Sequence, residues 1–350
     1  MPPERTVLVT GASGNLGTRL LPMLSGFHVV GADLRPPDSP LPVAKFVEID
    51  LGREASCWQL IDLLRQTVAT SVLHLAFVVD PLRTGVVDVE NMWQINVAGT
   101  ARLMEAVSVV NRTGGNIQQF IFPSSVSVYG PETPGPVNED TPLRAHTLPY
   151  AIQKRESDDV VRYRADSMGA CRIYILRPHI FTGASVENYM VGALRGIPMG
   201  KSKRAARMRA AGMRLPLLVP RGRKYLEKQW QFVHVDDVAR LVVHLLARTE
   251  SDPPVTILNV AGRGELIPLQ RCAEIADATI KRAPTRGAYG LILRLLWKLG
   301  ISSIPPEALP YMIGSYTMDT GRLQQFLGEQ YPQIIQYTVE DALRDSFVQV

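Results

Sequence analysis

The stretch Thr10-Gly11-Ala12-Ser13-Gly14-Asn15-Leu16-Gly17 joins two segments of different periodicity. Ahead of it, Thr6 to Thr10 (TVLVT) is an unbroken run rich in β-branched residues, the pattern of a strand buried on both faces. Behind it, Leu16, Leu20, Leu21 and Leu24 fall on one helical stripe. Each glycine has a mechanical reason in a strand-to-helix turn. Gly11 permits the tight turn, Gly14 lets backbone N–H groups close on an anion, and Gly17 lets the helix pack against the strand. The helix N-terminus adds partial positive charge at the same spot. Glycines alone only make turns. Between a strand and a helix at this spacing, with Ser13, Asn15 and Leu16 among them, they form a cradle for the pyrophosphate of a dinucleotide.

The same alternation continues outward. His28 to Asp33, Phe46 to Asp50, Ser71 to Ala76, Gln119 to Ser125 and Arg172 to Arg177 have the composition of strands. Helical patterns over Val89 to Val110 and Tyr150 to Ala165 lie between them. Apolar strands alternating with helices predict an α/β fold, a doubly wound parallel (Rossmann) sheet covered on both faces. After Gly183 the rhythm breaks until about Gln229. It resumes at Phe232 to Val235, a helix carrying Val238, Leu241, Val242 and Leu245, and a strand at Thr256 to Val260. The remainder is mostly helical and ends with Thr338 to Phe347. Residues 1–183 are therefore expected to form the dinucleotide-binding domain. Residues 184–350 would form a smaller substrate lobe, with 230–262 partly returning to the sheet.

The net charge is +5, unevenly spread. Between Arg195 and Lys228 lie eleven Lys or Arg residues against one acid, Glu227. Such a run is either a solvated loop or a patch for an anionic partner, and lipid surface or nucleic acid both fit that description. It lacks interleaved aromatic residues apart from Tyr225 and Trp230, so stacking on bases is poorly supported and no nucleic acid is expected. Cys57, Cys171 and Cys272 are odd in number and far apart, which argues against disulfides or zinc and fits a reducing, cytoplasmic setting. No metal site is evident. Neither a secretory signal nor an apolar run of about 18 residues is present, so no transmembrane span is expected. Leu291 to Ile304, broken by Arg294 and Lys298, is expected to be a packed helix.

Asp33 ends the second strand, 22 residues after Gly11. Its carboxylate can accept bonds from adenosine ribose hydroxyls and would repel a 2′-phosphate, favouring NAD over NADP. Arg35 pulls the other way, because an Arg there can accommodate that phosphate. In Tyr150-Ala151-Ile152-Gln153-Lys154, the Tyr and Lys are four apart and share a helix face. Hydride exchange with an alcohol needs a group to carry the hydroxyl proton. A phenol's ordinary pKa of about 10 is too high, and a neighbouring ammonium together with the positive nicotinamide is expected to lower it. Lys154 could also hold the nicotinamide ribose. Ser124-Ser125-Val126-Ser127-Val128-Tyr129-Gly130 follows the fifth strand at its carboxyl end, where ligands bind in such sheets.

With these motifs in order, the chain resembles the extended short-chain dehydrogenase/reductases, the group of NAD-dependent epimerases and dehydratases. The resemblance rests on TGASGNLG, Asp33, Asp50-Leu51, His74-Leu75-Ala76, Asn96 in NVAGT, SSVSVYG, YAIQK, Leu176-Arg177-Pro178 and FVHVDDVA, and covers about residues 5 to 265. It implies that Ser125, Tyr150 and Lys154 are catalytic. It places Asp50 and Leu51 at the adenine, Leu75 and Ala76 along the cofactor groove, Pro178 beyond the sixth strand and Asn96 in support. His74 is expected to pack in its strand. His234, Asp236 and Asp237 are expected to shape the following helix. A homodimer is the family's common assembly.

Departures from the family pattern narrow the chemistry. The sugar 4,6-dehydratases it is similar to carry an Asp-Glu pair where Val126 and Ser127 stand. The epimerase-reductases carry a Cys where Val126 stands. Ile180 replaces an Asn that contacts a nucleotide-sugar diphosphate, with Asn188 or the basic run as possible substitutes. His179 either faces the substrate or packs behind the sheet. Reversible oxidation of a secondary alcohol on a small-molecule substrate remains, as epimerase or as dehydrogenase/reductase. A dinucleotide sensor without turnover is the alternative from another class.

Overall fold

The computed structural model describes residues 5–37, 39–79, 88–184, 186–248 and 252–348. Seven strands form one sheet: β1 (Thr6–Thr10), β2 (His28–Asp33), β3 (Lys45–Glu48), β4 (Ser71–His74), β5 (Gln119–Pro123), β6 (Arg172–Pro178) and β7 (Val255–Val260). Their order is β7-β6-β5-β4-β1-β2-β3 and every pairing is parallel. The order reverses beside β1, so the carboxyl ends of β1 and β4 diverge there and leave a crevice for a ligand.

Alternate residues of β1 face opposite layers. Leu8 joins Leu60, Leu64, Leu103, Val107, Phe120 and Phe122 beneath helices α2 (Ser56–Gln66) and α3 (Gly99–Arg112). Val7 and Val9 join Leu20, Leu24, Val238, Leu241 and Leu245 beneath α1 (Asn15–Leu20) and the later helix Val235–Ala247. Fully burying one such side chain contributes about 1.5–3 kcal/mol, so these two layers dominate the fold. Leu323, Leu327, Ile334 and Ile335 complete the second layer. That layer therefore draws on residues well beyond 262. A third core unites Tyr129, Ala151, Met190, Trp230, Phe232, Tyr311 and Tyr316.

Several expectations needed adjusting. The first helix stops at Leu20 and tightens into a 3₁₀ turn, Leu21–Leu24, where Pro22 removes a donor. Strands three, four and five end two residues sooner than their composition indicated, because Ile49, Leu75 and Ser124 already turn toward the loops. The helix over 89–110 is interrupted by a π-turn, Gln94–Ala98. The Gly- and Arg-rich stretch is not simply loop. It contains the helix Lys203–Ala210 and a strand, Leu217–Pro220, paired in parallel with Ile280–Ala283. Arg286–Lys298 is helical, yet only Tyr289 within it is buried, so it is not the packed helix its apolar content suggested. No described helix is long and apolar enough to cross a membrane.

Candidate active site

The glycine loop explains its own composition. Gly11 has φ +74°, and a Cβ there would lie 2.4 Å from the Ala76 amide nitrogen. A Cβ on Gly17 would lie 2.5 Å from the Ala12 carbonyl oxygen, so that glycine closes the helix onto the loop. Gly14 meets only the Gly11 carbonyl, at 3.1 Å, and together with Asn15 is exposed. Leu16 is half-buried beside them. The backbone around Gly14 thus offers the open surface a pyrophosphate needs, and the loop fits a dinucleotide.

Asp33 lies beside it. Its carboxylate accepts hydrogen bonds from the Ser13 amide at 2.9 Å and the Leu34 amide at 2.7 Å. Burial pushes its pKa up, and these amides pull it back. Arg35 is exposed, and its carbonyl accepts the Ser13 hydroxyl at 3.2 Å. Asp50 accepts from the Gly52 amide at 2.9 Å and from Arg53 at 3.2 Å, while the Leu51 carbonyl accepts from Arg102 at 2.8 Å. Leu75 and Ala76 leave β4 against Gly11, and Pro178 is the last residue of β6.

At the far end of the crevice, Ser125 caps the 3₁₀ turn Val126–Tyr129 and accepts the Ser127 hydroxyl at 3.0 Å, with its own hydroxyl beside Tyr150. Tyr150 and Lys154 project from α4 (Pro149–Arg164). The Lys154 ammonium donates to the Pro123 carbonyl at 2.7 Å and lies 3.6 Å from the centre of the Phe77 ring. The same ring meets Tyr150 edge-on at 5.8 Å. Burial lowers the Lys154 pKa to about 7, and Asp158 opposes that shift. The expected depression of Tyr150 is not found. Burial raises its pKa and only the Ser125 hydroxyl lowers it, while the Lys154 ammonium lies against the Pro123 carbonyl and the Phe77 ring.

The resemblance puts Asn96, counted with the cofactor-binding residues, in support of the site from a neighbouring helix. Its side-chain oxygen accepts the Val78 amide at 2.7 Å, and its nitrogen donates to Gln153 at 2.8 Å and to the Val78 carbonyl at 3.0 Å. Its carbonyl accepts from Thr100 and Ser157. Fully buried within the π-turn, it ties the segment after β4 to α4 and acts as a positioning residue. Sequence reading also missed a buried pillar. Arg177 donates to Asp158 at 2.9 and 3.0 Å and to Tyr129 at 2.8 Å, while Ser124 donates to Asp158 at 2.7 Å. This turns Ser124 away from the crevice and leaves Ser125 facing Tyr150. Asp158, on Lys154's helix face, was the available signal.

His74, His179 and His234 are bound into the fold. His74 bridges Thr10 and Thr100 at 2.7 and 2.9 Å, and burial holds its pKa at about 3. His179 packs, stacked on Tyr316 at 5.5 Å, with its pKa near 3 for the same reason. His234 caps the helix Val235–Ala247, and Asp237 accepts the Gln336 and Tyr337 amides. Asn188 caps Tyr189–Arg195 and donates to the Phe181 carbonyl at 2.7 Å, so its side chain is already committed. Among the described residues no three His, Cys, Asp or Glu side chains converge as a metal site would require.

A sequence profile of the NAD dependent epimerase/dehydratase family matches residues 7–261. The chain belongs to that family. Its members are enzymes and their cofactor is NAD, in keeping with the glycine cradle and Asp33. This family member is 29% identical to a UDP-glucose 4-epimerase of Oryza sativa subsp. japonica over 254 residues, 67% of this chain and 66% of the relative. A second rice UDP-glucose 4-epimerase is 27% identical over 67% of this chain and 59% of its own length. The matched stretch thus spans less than two thirds of these relatives. Among solved structures, the Bacillus cereus UDP-glucuronic acid 4-epimerase, in complex with UDP-glucuronic acid and NAD, superposes with a TM-score of 0.65. It is 20% identical, covering 98% of each chain. The Bordetella bronchiseptica enzyme WbmH in complex with NAD+ superposes at 0.66 with 17% identity, covering 98% of this chain and 97% of that one. These likenesses establish a shared fold.

Proposed function

We propose that this chain is an NAD-dependent epimerase that inverts a secondary alcohol of a nucleotide sugar through a transient ketone. The observation that carries the reading is the placement of Tyr150 and Lys154 one turn apart on α4, with the Ser125 hydroxyl beside the phenol at the carboxyl end of β5. The relatives' stated substrates, UDP-glucose and UDP-glucuronic acid, supply the substrate class.

The glycine loop and Asp33 would hold NAD, with Lys154 at its nicotinamide ribose. Bound NAD supplies the hydride acceptor and, on return, the donor. Tyr150 takes the hydroxyl proton as the alcohol is oxidised and gives it back when the ketone is reduced. Ser125 holds the reacting oxygen against the phenol. Because burial raises the Tyr150 pKa, the base form depends on positive charge gathered nearby.

Native mass spectrometry of the purified protein should show retained NAD. Incubation with UDP-glucose or UDP-glucuronic acid, followed by NMR of the sugar, should show the C4 epimer. Tyr150→Phe should reduce turnover by about 10²-fold or more while NAD stays bound. Undiminished epimerisation by that variant would remove Tyr150 from the role. A second reading, a dehydrogenase that releases its cofactor, is favoured by Ile180 and by the commitment of Asn188 to Phe181. Stoichiometric NADH release in place of an epimer would establish it.

A further inference from the structure

We propose that the substrate lobe docks on an anionic lipid surface through the helix Arg286–Lys298 and the basic segments beside it. Leu291, Leu295 and Leu299 follow one another at four-residue intervals and are 69%, 55% and 45% exposed. Ile292 is exposed beside that row, and Trp297 is exposed further round the helix, beyond Arg294 and Lys298. On its opposite face the helix packs through Tyr289 near Leu217 and Val219. An outward row of leucines on a folded helix marks a surface awaiting a partner.

Charge identifies the partner. Arg294 and Lys298 stand one position before Leu295 and Leu299, along the flank of the apolar row, and both are exposed. Lys281 and Arg282 lie on the strand leading into the helix, and both are exposed. At its other end, Gly200 donates to the Ile301 carbonyl at 2.9 Å and Ser202 to the Gly300 carbonyl at 3.1 Å. These bonds bring the start of Lys203–Ala210, with exposed Lys203, Arg204 and Arg207, alongside. No Asp or Glu occurs from residue 189 to 226 or from 278 to 306.

An apolar stripe bordered by cations is the composition of a helix lying in a membrane interface. The leucines enter the acyl boundary while the long basic side chains reach the headgroups. A second copy of this chain fits less well, because a self-complementary contact would set Arg294 and Lys298 against their own kind. Nucleic acid fits less well because leucines, not flat rings, fill the space between the cations.

The test is co-sedimentation of the full chain with phosphatidylcholine vesicles and with mixed phosphatidylcholine–phosphatidylglycerol vesicles, at low and high salt. The expected result is binding to the mixed vesicles alone, weakened by salt. Arg294→Gln with Lys298→Gln should weaken it roughly thirtyfold, taking the usual contribution of each basic residue near an anionic surface. Leu291→Glu with Leu295→Glu should abolish it. Both pairs are solvent-exposed and outside the catalytic residues, so circular dichroism and turnover should match the parent. Equal binding to both vesicles, binding indifferent to either pair, or no binding would overturn the proposal. So would a dimer in sedimentation equilibrium that Leu291→Glu with Leu295→Glu dissociates, or oligonucleotide binding lost in the Arg294/Lys298 pair without vesicle binding.

Discussion

Asp33 holds two backbone amides, those of Ser13 and Leu34, on one carboxylate. Replacing it with Ala frees both donors and removes the negative charge proposed to meet the adenosine ribose. Asp33→Ala should therefore weaken NAD and shift the NADP-to-NAD ratio of dissociation constants toward NADP by about tenfold or more, equivalent to roughly 1.4 kcal/mol. Calorimetric titration with both dinucleotides measures this. An unchanged ratio would transfer the discrimination to Arg35, whose side chain is exposed nearby. Lys154 shows why residue identity alone misjudges electrostatics. The Tyr150-to-Lys154 spacing was plain in the sequence, but Phe77, which lies against both, carries no motif. The fate of the ammonium follows from that ring and from the Pro123 carbonyl.

The turn from β1 into α1 is the element on which the crevice depends. A methyl group at Gly17 would sit 2.5 Å from the Ala12 oxygen and 2.6 Å from the Gly11 oxygen, with backbone on both sides unable to yield. Gly17→Ala should cost about 1–3 kcal/mol in urea denaturation and weaken NAD. Gly26 has open space within 4 Å and no positive φ, so Gly26→Ala serves as the control, neutral or slightly stabilising. Equal effects of the two would show that the loop tolerates a side chain. Legibility also divides at this scale. β1, β2 and β6 are continuous apolar runs bounded by turn residues, and their ends came through within a residue. The strand Leu217–Pro220 did not. It pairs with Ile280–Ala283, sixty residues later and half basic, and no local periodicity encodes that partner. The Asn96 π-turn was hidden for a related reason, since its composition is ordinary helix and its bonds run to Val78 and Gln153.

Across the whole molecule, buried bases set the response to pH. His74 and His179 titrate at about 3 when folded against an ordinary 6.5, and Lys154 at about 7 against 10.5. In each case the unfolded chain binds more protons, so stability rises with pH. The histidine contribution is complete above 6.5 and drains away as pH falls toward 3. The Lys154 contribution is complete above 10.5 and is lost on descending through about 7. Urea midpoints should therefore climb from about pH 5 to about pH 8, on the order of a few kcal/mol in total. A flat or falling profile would mean that these groups are hydrated or paired in solution.

One layer of the sheet has a bearing on how the chain is made. Val7, Val9, Leu20 and Leu24 from its beginning are covered partly by Leu323, Leu327, Ile334 and Ile335 from near its end. On the ribosome, the first strands emerge long before the residues that roof them. The nascent chain must carry part of that greasy face uncovered until Leu323 to Ile335 have followed, a window in which a chaperone is the natural escort.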